Sequence, residues 1–228
     1  MRPLKVVARD SLLSQRQVEE VYLALKQHRP EILFDVTCMK TIGDLQRTVS
    51  LMGMDKTNFF TKELDEWILA GKADVAVHSA KDLPEPLPEG LAIYALTKGL
   101  DPSDSLVLQE NKSVQTLPIG AKIGTSSQRR IETLRGLRED FIPVDIRGSI
   151  LERLSLLEKG DLDGVIVAEA ALMRLRLTHL HRILLSGDVP LMQGRLAIVG
   201  KKNNLFLQEI FESIHYGDKA WLQASCSI

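Results

Sequence analysis

Cationic and hydroxyl-bearing side chains recur in this chain immediately after short apolar runs. Arg9 and Ser11 follow LKVVA, Lys81 and Asp82 follow the run that ends at Val77, and Thr125, Ser126 and Ser127 lead into Arg129 and Arg130 after AKIG. Arg147, with Arg153 behind it, closes the stretch 140–146, and Arg174 stands beyond GVIVA. Most of these positions lie just past an expected strand or in the first turns of the helix after it, where backbone N–H groups and the helix dipole already favour anions. Arginine adds a planar fork that takes carboxylates in bidentate fashion. If these ends face one cleft, the cleft is cationic and its ligand carries several carboxylates or phosphates. Asp82 is the exception. An acid among arginines stays ionised and can stabilise a positive charge developing on a substrate. Duller roles exist for some: Arg153 and Arg174 suit surface ion pairs with Glu152 or Glu169, and His78 suits a packed imidazole that satisfies a backbone group.

The elements that must position these residues alternate between strand and helix. Residues 4–8 read as a buried strand, and a helix over 14–28 carries Val18, Val21, Tyr22 and Leu25 on one face. A second strand over 33–39 completes a βαβ unit. Residues 41–60 show no clean period and read as a long irregular connection, with a helix at 61–70 after it. In ADVAVHSAKDLP, β-branched Val75 and Val77 predict a strand, and Pro84, Pro86 and Pro88 keep a helix from absorbing the polar residues 78–82. A strand over 91–96 leads into KGLDPSD, whose turn chemistry marks a crossover. Then come strands at 122–124 and 140–146, a helix from Ile150 that Ser149 can cap, a strand within 160–168 and a helix carrying Arg174. Residues 196–199 are expected to return to the first half, with a last helix over 206–214.

Two internal echoes suggest duplication. LKVVARDSLLSQRQVEEVYLAL resembles AKIGTSSQRRIETLRGL in pattern, and LDEWILAGKADVAVHSAKDL resembles LSLLEKGDLDGVIVAEAAL. Strands alternating with helices imply parallel sheets, and repeating the arrangement once implies two α/β lobes. The lobes are expected at 1–97 plus 193–228 and at 98–192. With 228 residues, 44% of them hydrophobic, the chain can bury a sizeable core. Its net charge of −1 argues against a nucleic-acid footprint. The apolar run at the N-terminus is too short for a signal peptide, and nothing approaches a membrane span, so a cytoplasmic protein is expected. Cys38 and Cys226 lack metal-ligand spacing, and Cys38 is expected in a strand interior. No Ser/His/Asp triad, P-loop or GxGxxG turn is present.

ARDS near the N-terminus, AVHSAKDLP, GTSSQRR, and DIRGS with Arg153 after it resemble, in that chain order, the motifs of the hydroxymethylbilane synthase, or porphobilinogen deaminase, family. QGRLAIVG at 193–200 is similar to the family's return crossing. The resemblance implies lobes like those of type II periplasmic binding proteins joined by a two-strand hinge, and an enzyme that joins porphobilinogen units into a linear tetrapyrrole on a dipyrromethane cofactor. It implies a catalytic role for Asp82. It also implies that Arg9, Ser11, Lys81, Thr125, Ser126, Ser127, Arg129, Arg130, Arg147, Arg153 and Arg174 bind the acidic side chains of the substrate and growing chain. Asn58, Phe59 and Phe60 resemble part of a covering loop. Porphobilinogen bears acetate and propionate groups, and its loss of ammonia leaves an azafulvenium cation, which suits both the arginines and the acid.

The likeness has departures. The family's cofactor cysteine lies in a third domain after the return crossing, and this chain is expected to lack that domain, since it stops at Ile228 without a GGC motif. Cys226 is the remaining candidate for cofactor attachment. TIGD places Ile42 where the family has a basic residue, and MGMDKTNFF replaces a glycine-rich lid. The expected protein is a monomer with porphobilinogen as its partner and no metal, nucleic acid or membrane. A non-catalytic protein that binds a tetrapyrrole or another polycarboxylate is the alternative reading.

Overall fold

The computed structural model describes residues 2–46, 48, 50 and 58–218. They fall into two compact α/β units, one of 2–45, 58–100 and 195–218, the other of 101–194. In the first, the strand β1 (Leu4–Arg9) leads to helix α1 (Leu12–Lys26) and strand β2 (Phe34–Met39). The short helix α2 (Ile42–Leu45), a 3₁₀ turn at Asn58–Phe60 and helix α3 (Lys62–Leu69) follow, then β3 (Val75–Ser79), a 3₁₀ turn at Ala80–Asp82 and β4 (Leu91–Leu96). The second unit holds β5 (Asp104–Leu108), β6 (Lys122–Gly124), α4 (Gln128–Leu137), β7 (Ile142–Val144), α5 (Ile150–Glu158), β8 (Gly164–Ala168), α6 (Glu169–Arg174) and β9 (Arg182–Leu185). The chain then returns to the first unit as β10 (Leu196–Lys201) and α7 (Leu205–Glu212).

Each unit is built on a five-stranded sheet, ordered β2-β1-β3-β10-β4 in the first and β7-β6-β8-β5-β9 in the second. β1 and β6 hold the same place in their sheets, as do β3 and β8, which matches the two echoes in the sequence. The strands laid down inside a unit by βα connections run parallel: β1 with β2 and β3, β6 with β7 and β8. The sheets are nonetheless mixed, not parallel as expected. β10 is antiparallel to β3 and β4, and β5 to β8 and β9. In both sheets the antiparallel fourth strand is the one entered from the other unit, so no helical crossover sets its direction.

Central strands are buried on both faces and read as apolar runs without alternation. Val75, Val77, Leu196 and Ile198 join Val21 and Leu25 of α1 and Leu207, Ile210 and Phe211 of α7 in the first core. Burying one such side chain contributes ~1.5–3 kcal/mol. α7 lies so close to β10 that a Cβ on Gly200 would stand 2.7 Å from Leu207, so glycine is required there. In the second unit Leu106, Ile123, Leu134 and Ile166 form one cluster, and Leu154, Leu157, Val165 and Leu172 another.

Several local expectations are corrected. β5 and β9 were not anticipated, because DSLVL opens on polar residues and RILL is only four residues long. β7 covers only Ile142–Val144 of the expected 140–146. Residues 41–60 contain α2 and a 3₁₀ turn; positions 47, 49 and 51–57 of the expected lid lie outside the described residues. Cys38 is in a strand but exposed, since β2 is the sheet's edge. Cys226 also lies outside the described residues.

Candidate functional site

In the first unit β1 and β3 are parallel neighbours, so their carboxyl ends emerge side by side. β1 ends in Arg9 and its loop supplies Ser11. The Ser11 hydroxyl caps α1 by accepting from the Ser14 N–H at 3.1 Å. Arg9 is committed within its unit: its Nε donates to Asp44 at 3.2 Å, its Nη2 pairs with the other Asp44 oxygen, and its guanidinium lies 4.4 Å from the centre of the Phe60 ring. Asp44 also accepts from the N–H and hydroxyl of Thr41 at 3.0 and 2.8 Å. Burial pushes the Asp44 carboxyl up, and Arg9 and Thr41 outweigh it, so the acid stays below its ordinary range. Phe59 meets Phe60 edge to face, with ring centres 5.3 Å apart. The structure thus brings Arg9 together with Asn58, Phe59 and Phe60, with Asp44 at the junction.

β3 runs further than its last valine, carrying His78 and Ser79 as strand residues paired to β10. His78 is 6% exposed, and its Nε2 has no hydrogen-bond partner among the described residues. Burial, with Arg9 nearby, lowers its pKa to about 4, so the ring is neutral at physiological pH. It is packed, as one reading of the sequence had it, without Nε2 satisfying a backbone group. Ser79 accepts from Gln17 Nε2 at 2.8 Å, and the 3₁₀ turn begins where the Ala80 N–H donates to the Arg195 carbonyl at 3.0 Å. Pro84 does keep a longer helix from forming, but one turn forms before it. That turn presents a half-buried Lys81 and an exposed Asp82 above a buried Leu83.

The second unit repeats the geometry, with β7, β6 and β8 as parallel neighbours. After β6, Thr125 is buried and its hydroxyl accepts from the Ser127 N–H at 3.3 Å. Ser126 is structural: its hydroxyl donates to the Ile146 carbonyl at 2.5 Å and accepts from the Ile146 N–H at 3.1 Å. Ser127 is the N-cap of α4 but makes no side-chain cap bond, leaving its hydroxyl unspent on the helix. Arg129 and Arg130 converge on Asp104, which is 3% exposed. Arg147 follows β7 and is half-buried. Ser149 and Glu152 form a reciprocal capping box on α5, and Arg153 Nε donates to the Gly148 carbonyl at 3.0 Å. Arg174 sits at the far end of α6 and donates to the Gly194 carbonyl at 2.8 Å. Arg153 and Arg174 each spend a donor on a backbone carbonyl near their own helix. Glu152 serves the cap, and Glu169 binds Arg182 at 2.7 and 2.8 Å and the Ser105 hydroxyl at 2.5 Å.

Sequence reasoning missed Asp44, Asp104 and the Glu169–Arg182 pair. Asp104 sits in PSD, which reads as turn chemistry; an acid just ahead of the apolar run Leu106–Leu108 was the available signal. The donor set suits a group rich in carboxylates: arginine forks in the second unit, a Ser127 hydroxyl not used as a cap, and a buried Arg130 Nε without a partner among the described residues. No group of acidic, histidine and cysteine side chains able to hold a metal ion occurs among the described residues.

Residues 4–209 match a family model described as porphobilinogen deaminase, dipyrromethane cofactor binding domain. A probable porphobilinogen deaminase of Chlamydia pneumoniae is 36% identical over 214 residues, covering 94% of this chain and 91% of that protein. Porphobilinogen deaminases of Syntrophomonas wolfei and of a Nostoc species are 36% and 38% identical over 221 residues; the matches cover 96% and 94% of this chain, and 72% and 68% of those proteins. Among solved structures, a Salmonella typhimurium periplasmic binding protein specific for arginine aligns with a TM-score of 0.53 at 15% identity, covering 100% of this chain and 95% of that one. A Bacillus subtilis extracellular-binding protein of a probable amino-acid ABC transporter aligns with a TM-score of 0.55 at 14% identity, covering 93% and 90%. These structural likenesses bear on the fold alone, and the fold they share is the two-lobed periplasmic-binding type.

Proposed function

The chain belongs to the porphobilinogen deaminase family, a family of transferases, and from that premise we propose that it acts as a hydroxymethylbilane synthase in porphyrin biosynthesis with Asp82 as its catalytic carboxylate. The observation that carries this reading is the placement of Asp82: exposed, on a tight turn at the carboxyl end of β3, in a unit where Arg9 and Asp44 already satisfy each other. A carboxylate so placed offers its charge to a cation arising on the substrate. When the aminomethyl group of porphobilinogen leaves as ammonia, the pyrrole becomes an azafulvenium cation, and Asp82 stabilises that charge near the pyrrole nitrogen. Lys81, Ser127, Arg129, Arg130, Arg147, Arg153 and Arg174 supply cations and a hydroxyl for the acetate and propionate groups. Arg9, which already pairs with Asp44, and Ser11, whose hydroxyl accepts from the Ser14 N–H, are proposed to bind the same acidic groups through their remaining donors, with Asn58, Phe59 and Phe60 as part of a covering loop.

The dipyrromethane cofactor of the family carries the same carboxylates, so the second unit's arginines and Ser127 are the residues that would hold it. When bound, it supplies the primer to which pyrroles are joined. Covalent attachment by Cys226 is tested by intact mass against sequence mass, followed by peptide mapping. No helix among the described residues is long and apolar enough to cross a membrane. The reading places the enzyme in the cytoplasm as a monomer.

The deciding experiment follows consumption of porphobilinogen and release of ammonia by the full chain. Asp82→Asn keeps the side chain's size and removes its charge; turnover is expected to fall by about 10²–10³-fold, the scale of losing one electrostatic contact made in the transition state. Because Asp82 is exposed, the melting temperature should stay nearly unchanged. Turnover near that of the unmodified protein would rule out the role. Polycarboxylate binding by a protein inert toward porphobilinogen would favour the non-catalytic alternative.

A further inference from the structure

Arg129 and Arg130 are adjacent in the first turn of α4, and neighbouring helical residues project about 100° apart. Two like charges so placed have no reason to converge unless an anion draws them together. Asp104, the first residue of β5, does so with one oxygen for each: Oδ1 accepts from Arg130 Nη2 at 2.6 Å, and Oδ2 pairs with Arg129 Nη2. A third donor, Gln193 Nε2, reaches Oδ1 at 3.1 Å while also donating to the Pro102 carbonyl at 2.5 Å. Each guanidinium has a second anchor, Arg129 on the Asp188 carbonyl at 2.5 Å and Arg130 on the Ile166 carbonyl at 3.2 Å.

We infer that Asp104 is a positioning residue: a buried carboxylate that holds Arg129 and Arg130 as one preorganised fork for an acidic group of the ligand. The inference rests on the functional reading above for the identity of that ligand, not for the geometry. Two guanidinium charges against one carboxylate leave a net positive charge. Each guanidinium carries five N–H donors. Asp104 and the two carbonyls use only some of them. Arg129 keeps 26% of its side chain exposed, and Arg130 keeps 11%, so the outward N–H groups of Arg129 are the more accessible. A purely structural role is a poor account of the triad, because a buried Arg–carboxylate–Arg cluster carries a desolvation cost that apolar side chains of the same volume avoid. Preorganisation gives it a use. A tethered arginine loses little rotamer freedom when an anion arrives, whereas a free one loses much.

The test uses the full chain, inorganic phosphate as probe and Asp104→Asn as variant. If Asp104 positions the pair, phosphate should bind the variant about tenfold more weakly, since the arginines must then be ordered by the ligand itself. KM for porphobilinogen should rise by more than kcat falls. If Asp104 merely occupies the arginines, removing its charge frees them and phosphate binds as tightly or more tightly, which overturns the inference. Failure of the unmodified protein to bind phosphate overturns it equally. Should Asp104→Asn not fold, the unmodified protein decides: nitrogen NMR without ligand should show Arg129 and Arg130 with slow rotation about the Nε–Cζ bond, and free rotation would refute the tether. If the unmodified protein does not consume porphobilinogen, the functional reading fails while the phosphate and NMR results still judge the positioning role.

Discussion

Asp65 and His78 are both buried in the first unit, and acid changes their charges in opposite senses for stability. Asp65 lies on α3, 4% exposed, and neither carboxylate oxygen has a hydrogen-bond partner among the described residues. Burial raises its pKa to about 6, helped by Glu63 and Glu66 and opposed by the neighbouring Thr61 hydroxyl, which lies outside hydrogen-bond geometry. The folded protein therefore holds a proton that the unfolded chain releases near pH 4. The contribution is full below that pH and is lost as pH rises through about 6. His78 runs the other way. The unfolded chain takes up a proton near pH 6.5, and the folded ring resists until about 4, so its contribution is present above 6.5 and lost as pH falls toward 4. At about 1.4 kcal/mol for each pKa unit, either contribution is on the order of 3 kcal/mol, and the two largely cancel between these limits. Asp65→Asn should gain roughly that much stability at pH 7.5 and almost none at pH 4, exposing the slope due to His78. Urea denaturation across that range checks it; an equal gain at both ends would mean that Asp65 is already neutral or already solvated.

At the scale of elements, the β1 loop, α2 and the 3₁₀ turn at Asn58–Phe60 form one assembly around a glycine. A Cβ on Gly43 would stand 2.4 Å from two Phe60 ring carbons and 2.7 Å from the Phe59 carbonyl oxygen. Only glycine lets the ring pack here, and that ring is the face on which the Arg9 guanidinium lies. Gly43→Ala must move either the ring or the backbone, at a cost of about 1–3 kcal/mol, the usual range for overpacking. Arg9 would lose its stacked face while keeping Asp44. The expected result is a folded protein with a lowered melting temperature and a raised KM for porphobilinogen. An unchanged KM would show that the Phe60 assembly is only structural.

For the whole molecule, two units with separate cores should open separately when one is weakened. Phe211 is fully buried between α7 and the first sheet, among Leu25, Ile198 and Leu207. Phe211→Ala should cost about 3–5 kcal/mol. Hydrogen exchange should then quicken at Val77 and Ile198 in the first unit, while Ile123 and Ile166 in the second keep their protection. Equal loss of protection in both would mean that the two units unfold together.

The sequence by itself determined the alternation of strand and helix, the return of the chain to its first unit, the echo between β1–α1 and β6–α4, and the family. All of these rest on local patterns: apolar runs, caps such as Ser149, and motifs whose members lie within a few residues. Only the tertiary structure decided the antiparallel placement of β5 and β10, because strand direction follows from where a chain re-enters a sheet and leaves no mark on composition. It likewise decided that Cys38 is exposed, since edge and centre strands differ in what pairs beside them. The partners of the site residues were hidden for the same reason. Asp44 lies 35 positions from Arg9, and Asp104 lies 25 and 26 positions from Arg129 and Arg130. Nothing in either local stretch announces the pairing. A buried carboxylate is satisfied by whichever cation the fold carries to it, and that is settled by sheet order rather than by neighbours in the chain.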